Sequence, residues 1–403
     1  GGGQLRIGQV DRFSAEDSQD WSFKADGQTE LVVNSTFGNL KVTGSAGDAI
    51  KVTAHKTAWD SSQARADAAL AEMPVEVRQE GSQIIVTYKP PAQVLVVGET
   101  RADTVDFTIS IPQDSRVDAS LNSGDINLVG IAGDADLESQ FGDITVEDVQ
   151  GGVQVISNSG DASVQRVQAG QSPVKLETQF GDLRLEQASA SEVSLETNSG
   201  EIDLSSVDAS GSITLDSQFG DIQFDQGHAA MLTVSSNSGK LTISGITLEG
   251  ALVAESQFGA IDVEKVSAQS YDLKANSGDI TLQQAQGPVK AFTQFGRITI
   301  RDAQDAQLDL EANSGGIEFS GSLGSGPHRL KSQFGDVRLT LPKNITLNFD
   351  LKTDFGKVKS AFQVTMSGDL DEQHWVGTIN GGGASLTVEV GSGNITLEIL
   401  SQQ

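Results

Sequence analysis

Apolar and polar residues alternate along most of this chain in short runs that break at a glycine and then start again. In Val193-Ser194-Leu195-Glu196-Thr197-Asn198-Ser199-Gly200-Glu201-Ile202-Asp203-Leu204, the residues Val193, Leu195, Ile202 and Leu204 fall on one side, as in strands buried on one face. The next stretch repeats the pattern with Ile213, Leu215, Ile222 and Phe224 around Gln218-Phe219-Gly220-Asp221. Counting by twos from Val193 reaches Ser199, yet the second run resumes inward at Ile202, so the alternation slips by one at the glycine. A corner or bulge, where glycine takes positive φ at little cost, accounts for the slip.

The corner recurs in two spellings, Asn-Ser-Gly and Gln-Phe-Gly. Its glycine falls at Gly124, Gly142, Gly160, Gly181, Gly200, Gly220, Gly239, Gly259, Gly278, Gly296, Gly315, Gly335 and, in a degraded copy, Gly356, in steps of 18 to 21 residues. That period is the length of a solenoid rung. The count by twos puts the middle residue of each tripeptide on the inward side. Phe141, Phe180, Phe219, Phe258, Phe295 and Phe334 are therefore expected in the core, spreading over Ser123, Ser159, Ser199, Ser238, Ser277 and Ser314 of adjacent rungs, large against small. A coil made of two units, about 38 residues long with Ser and Phe corners on opposite sides, is the rival arrangement.

Outside the array the pattern changes. Leu31 to Val42 is an early copy of the corner around Phe37-Gly38-Asn39-Leu40, and a strand follows at Ala49–Ala54. A helix from about Ser61 to Met73 is predicted by Ala64, Ala68, Ala69, Leu70 and Met73, with Asp60 or Ser61 as N-cap and Pro74 beyond. Strands are predicted at 75–77, 83–88 and 105–112, with a turn at Glu80-Gly81-Ser82 and a loop from Lys89 to Asp103. The reading divides the chain at 104: residues 1–104 form a capping region with strands and one helix, and 105–403 form the solenoid. Residues 366–374 break the period, and Leu386–Leu400 is expected to be the closing, uncapped end. An open end invites a neighbour, so Gln4–Val10 of a second subunit is expected to pair there.

Composition narrows the function. The chain has 44 Gly, 5% aromatic residues, no Cys and a formal net charge of -28. Disulfides and thiolate metal sites are excluded, and nucleic acid and anionic lipid are disfavoured as partners. No apolar run is long enough to span a membrane. The chain opens at Gly1-Gly2-Gly3 without Met, which is read as a processed chain whose leader or anchor has been removed. The sequons at Asn34, Asn344 and Asn394 count only in a host that glycosylates.

The Phe37-Gly38-Asn39-Leu40 opening, the helix before Val75, the Val105–Pro112 strand, corners such as Ser123-Gly124-Asp125-Ile126 and the ending from Asn380 to Ile395 together resemble a bacterial β-strand-repeat family labelled "putative adhesin". The resemblance spans most of the chain. It implies an all-β, right-handed parallel β-helix, here with rungs of about 19 residues and one short N-terminal helix, on the cell surface or in the envelope. It implies no agreed activity.

Catalytic, cofactor-binding and metal-binding residues are not assigned. His55, His228, His328 and His374 stand apart, outside any metal-ligand or nucleophile motif, and are read as surface or loop residues. If one unit is one coil, Asp125, Asp143, Asp161, Asp182, Glu201 and Asp221 line up at one corner, where calcium could bridge carboxylates, although the consensus of calcium β-rolls is missing. The reading is thus a non-catalytic, extracellular structural or adhesive β-solenoid, secreted or anchored. Its rows of polar and acidic side chains suit multivalent contacts with cell-surface glycans or proteins. A filament subunit stacked end to end and an envelope sensory ectodomain are the other two readings.

Overall fold

The computed structural model describes residues 12–90, 101–368 and 371–401, and the backbone alone of 6–7 and 96–97. The chain is an all-β solenoid, 69% strand and 2% helix, built in two compact units, residues 1–191 and 192–403.

In the second unit, Val193–Ser199 pairs in parallel with Ser212–Phe219, which pairs in turn with Met231–Ser238. Beyond the corner, Ile202–Ala209, Ile222–Ala229 and Leu241–Leu248 form the matching series on a second sheet. Each unit of sequence is therefore one coil, and the 38-residue coil is excluded: Ser199 lies opposite Phe219, and Phe219 opposite Ser238. The first unit repeats the plan, with Arg116–Ser123, Ala135–Phe141, Val153–Ser159 and Val174–Phe180 on one sheet. Ile126–Val129, Ile144–Val149, Ala162–Gln168 and Leu183–Ala190 form the other.

The core lies between the sheets. Val193, Leu195, Ile202, Leu204 and Val207 of one coil are buried, as are Ile213, Leu215, Ile222 and Phe224 of the next. Stacking covers each layer with its neighbour, so each unit, though poor in aromatics, buries an apolar column of its own.

Most coils have a second bend. Leu204 and Val207 are both buried although three residues apart, because Ser206 between them has φ 55°. Asp148, Arg166, Gln187, Gln226, Lys265, Gln284 and Asp302 take the same left-handed backbone in their own coils. Positive φ, expected at the corner glycine, is found there at Gly38, Gly124, Gly142, Gly160, Gly335 and Gly393, and these polar residues add a second, left-handed position in the coil.

Both ends are built by reordering the chain. Near the N-terminus, Glu30–Phe37 and Leu40–Ser45 pair in parallel with the coil at 116–129. On their other side lie Gln83–Tyr88 and Thr104–Pro112, also parallel. Antiparallel strands finish the stack: Val75–Glu80 on Gln83–Tyr88, Ala49–Asp60 on Thr104–Pro112, and Phe13–Lys24 on Ala49–Asp60. The helix is Gln63–Ala71, shorter than expected, and packs against 13–24 and 49–60 with Ala66 buried.

At the other end, the last strands of the sequence are not the last in space. Ala384–Ser392 and Ile395–Ile399 lie between His328–Leu341 on one side and Leu347–Ser360 on the other. The expectation of an open edge at Leu386–Leu400 is overturned, because both sides of that coil are already hydrogen-bonded. His374–Ile379 and then Val364–Met366 close this end with antiparallel pairing. Of the proposed intersubunit strand Gln4–Val10, only the backbone of Arg6–Ile7 is described, and it pairs in parallel with Val96–Val97.

Candidate binding stripe

The corner is set by three columns of small or polar groups. The first is a buried hydroxyl two residues before each corner Phe, at Ser139, Thr178, Ser217, Ser256, Thr293, Ser332 and Thr353. Ser139 Oγ donates to the Gly124 carbonyl at 3.0 Å, Ser217 to Gly200 at 3.0 Å, Thr293 to Gly278 at 2.9 Å and Thr353 to Gly393 at 2.7 Å. Each bond ties a coil to its neighbour and satisfies a carbonyl at the edge of the core.

The second column is glycine. A Cβ on Gly142 would stand 2.1 Å from the Gly124 carbonyl oxygen, and one on Gly220 would stand 1.9 Å from that of Gly200. The corner requires glycine because the backbone of the next coil fills the side-chain position.

The third column follows the glycine. Asp125, Asp143, Asp161 and Asp182 stack as expected, and each Oδ1 accepts the amide of the next member: Asp143 N–H to Asp125 at 2.9 Å, Asp161 to Asp143 at 2.8 Å, and Asp182 to Asp161 at 2.8 Å. Asn39 serves Asp125 in the same way, as Asp221 serves Lys240, Asp279 serves Arg297, and Asn394 serves Lys357. Aspartate and asparagine are interchangeable acceptors here. Among the described residues no group of three or more His, Cys, Asp or Glu is placed to hold a metal ion.

These columns turn the Phe residues outward. Phe141, Phe180, Phe219, Phe258, Phe295 and Phe334 are 54–61% exposed, and Phe355 is 77% exposed. The expectation that they pack in the core is overturned. The hydroxyl at 139, 217 or 293 already closes the core, and the chain swings out one residue before the glycine. Inward alternation therefore ends at Ser139 rather than at Phe141.

The outcome is a surface stripe. In the first unit Phe37, Ser123, Phe141, Ser159 and Phe180 follow one another in register. In the second, Ser199, Phe219 and Ser238 are in register, as are Ser314, Phe334, Ser392 and Phe355. Between these groups, amide bonds from Phe258 to Asn237 O, Ser277 to Gln257 O and Phe295 to Asn276 O keep the same corner in step. At about 4.8 Å per coil, successive rings are about 9.6 Å apart. The reordered C-terminus preserves this interval: Ser392 is inserted between Phe334 and Phe355, which have no intervening Ser corner in sequence.

Beside the rings of each unit runs a row of half-buried or exposed amides, including Gln140 and Asn158 in the first and Gln218, Asn237, Gln257, Asn276 and Gln294 in the second. Gly391 interrupts the row. A depression of about 400 Å³ opens there, lined among others by Lys331, Gln333, Lys352, Asp354 and Glu389. A second cleft, of about 300 Å³, lies on the same sheet of the first unit. Asp118 in it is held above the usual carboxylate range by partial burial and by Asp136 and Glu30.

The histidines do not assemble a site. His55 bonds Ser18, His374 bonds Asp350 at 2.9 Å, and His228 lies 3.7 Å from Glu249. His328 departs from the surface reading. It is buried, its Nδ1 accepts the Leu308 amide at 3.3 Å, its Nε2 lies 3.2 Å from the Gly324 carbonyl, and burial holds its pKa below the ordinary 6.5.

Comparison with known proteins gives one family. The model of Toastrack DUF4097 matches residues 28–245, 191–322 and 225–398. No match was found among curated proteins. Solved structures with similarity include a "putative adhesin" from Parabacteroides distasonis ATCC 8503, with 13% identity over 84% of this chain and 96% of that one and a TM-score of 0.28. A "putative lipid binding protein" from the same organism has 9% identity over 97% and 99%, at 0.27. A "putative cell adhesion protein" from Clostridium sporogenes ATCC 15579 has 9% identity over 96% and 100%, at 0.23. Structural likeness at this level says nothing about what the chain binds.

Proposed function

We propose, for a chain that belongs to the Toastrack DUF4097 family, a non-catalytic, surface-located role in which each unit of the solenoid holds a partner through its own row of exposed phenyl rings. The observation that carries this reading is the regular outward placement of Phe141, Phe180, Phe219, Phe258, Phe295, Phe334 and Phe355 on a rigid corner. Exposed aromatics contribute binding energy at interfaces out of proportion to their number. Rings repeated on a stiff support add weak contacts into useful avidity, because each contact formed raises the effective concentration for the next. Acidic side chains elsewhere keep the protein soluble, with a formal net charge of -28.

No catalytic step and no cofactor belong to this reading, and the corner carboxylates are assigned to the coil-to-coil ladder. The test replaces Phe219, Phe258, Phe295 and Phe334 together by Ser and measures retention on isolated cell-envelope and cell-surface material. Serine is the natural occupant of the same column on alternate coils, so folding is expected to survive. Retention of the wild type and loss of retention by the variant, with unchanged circular dichroism, is the expected result. Equal retention of the two would overturn the reading.

A further inference from the structure

We infer that the stripe in residues 192–403 is a line of subsites for an uncharged, extended polysaccharide of the β-1,4-linked type, lying along the column of rings from Phe219 to Phe355. The inference rests on the binding role proposed above and names its ligand.

Periodicity is the first argument. The rings recur every second coil, about 9.6 Å apart, over a column of eight coil steps, or about 38 Å. A bound polymer that uses more than one ring must itself be extended and repeat near that interval. In a β-1,4-linked glycan each sugar advances the chain by close to one strand spacing, and alternate sugars present the same face. Every second sugar therefore returns an equivalent C–H face to the next ring, and the negative face of a phenyl ring attracts such weakly positive hydrogens. Serine at the intervening coils leaves room for the sugar that faces the other way.

The polar groups fit as well. A sugar carries hydroxyls around its edge that need both donors and acceptors. The side-chain amides of Gln218, Asn237, Gln257, Asn276 and Gln294, next to the rings, offer both. Between Phe334 and Phe355, the depression left by Gly391 adds Lys331 and Lys352 as donors and Asp354 and Glu389 as acceptors.

Charge and spacing weigh against other occupants. Two copies of a chain with a net charge of -28 repel each other. Anionic lipid and nucleic acid meet the same repulsion. Rings separated by serine and amide do not form the continuous apolar face that a membrane surface needs. A neutral glycan incurs none of these penalties.

The experiment uses the full chain and β-1,4-linked oligosaccharides of glucose, N-acetylglucosamine and mannose, as di-, tetra- and octasaccharides, in calorimetric titrations. At least one series is expected to bind, with affinity rising at least about tenfold from tetra- to octasaccharide as further rings are engaged. Phe258→Ser with Phe295→Ser should bring the octasaccharide down to the tetrasaccharide level and leave the melting temperature nearly unchanged. Absence of binding in all three series, equal affinity at all lengths, or indifference to the double substitution would overturn the inference. Mass that grows with protein concentration and is lost in the double variant would assign the stripe to a second copy. Sedimentation with neutral phosphatidylcholine vesicles that depends on the same two rings would assign it to lipid. If the serine variant loses envelope retention while no glycan binds, the binding role stands and only the ligand is wrong.

Discussion

At the residue scale, what a side chain does in this protein depends on which side of the corner glycine it occupies. Phe219 and Phe224 are five residues apart, yet the first is 55% exposed and the second is fully buried. Phe219→Ser should therefore change stability by no more than about 1 kcal/mol, whereas Phe224→Ala should cost roughly 3–5 kcal/mol, both measurable by denaturant unfolding. Gly220→Ala should cost at least about 1–3 kcal/mol, because the added methyl meets the Gly200 carbonyl rather than a side chain that could move. His328 supplies a pH dependence. Its folded-state pKa lies below the ordinary 6.5, so the unfolded chain binds the proton more readily, and stability falls as pH drops below 6.5 toward the folded value. Thermal unfolding between pH 7.5 and 5 should show this loss in the wild type, and the share due to this residue should be missing in His328→Asn.

At the element scale, much of the coil was legible in the sequence. The period, the two strands per unit, the glycine column and the alignment of Asp125 with Asp143 and Asp161 all follow from alternation and spacing. The direction of Phe141 did not, because counting by twos assumes that the strand runs unbroken to the glycine. The buried hydroxyl at Ser139 was the available signal, since a small polar residue at an inward position marks where the core ends. The second bend was also readable in principle, in the three-residue step from Leu204 to Val207. Strand order at the ends was not: pairing 328–341 with 384–399 is a long-range choice that local alternation does not encode. The aspartate ladder makes its own prediction. Asp143→Asn should be nearly neutral, since Asn39 and Asn394 already serve as acceptors in the same column, whereas Asp143→Ala should cost about 0.5–1.5 kcal/mol by stranding the Asp161 amide. Adding calcium or a chelator should leave the melting temperature unchanged, and a calcium-dependent rise lost in Asp143→Asn would instead make these carboxylates an ion site.

At the scale of the whole molecule, repetition turns a modest surface feature into a functional one. A single exposed phenyl ring is ordinary on a protein surface, but rings held at a fixed interval by backbone hydrogen bonds can act together. Both ends are finished with antiparallel strands, so the repeat is not continued by parallel pairing at the Leu386–Leu400 coil. The most direct measurement is hydroxyl-radical footprinting of the phenylalanines by mass spectrometry, with and without the envelope material that retains the protein. The account predicts rapid labelling of Phe141, Phe180, Phe219, Phe258, Phe295 and Phe334, slow labelling of the buried Phe107, Phe224 and Phe319, and selective protection of the first group on binding. Slow labelling of the stripe in the free protein, or binding that leaves it unprotected, would contradict it.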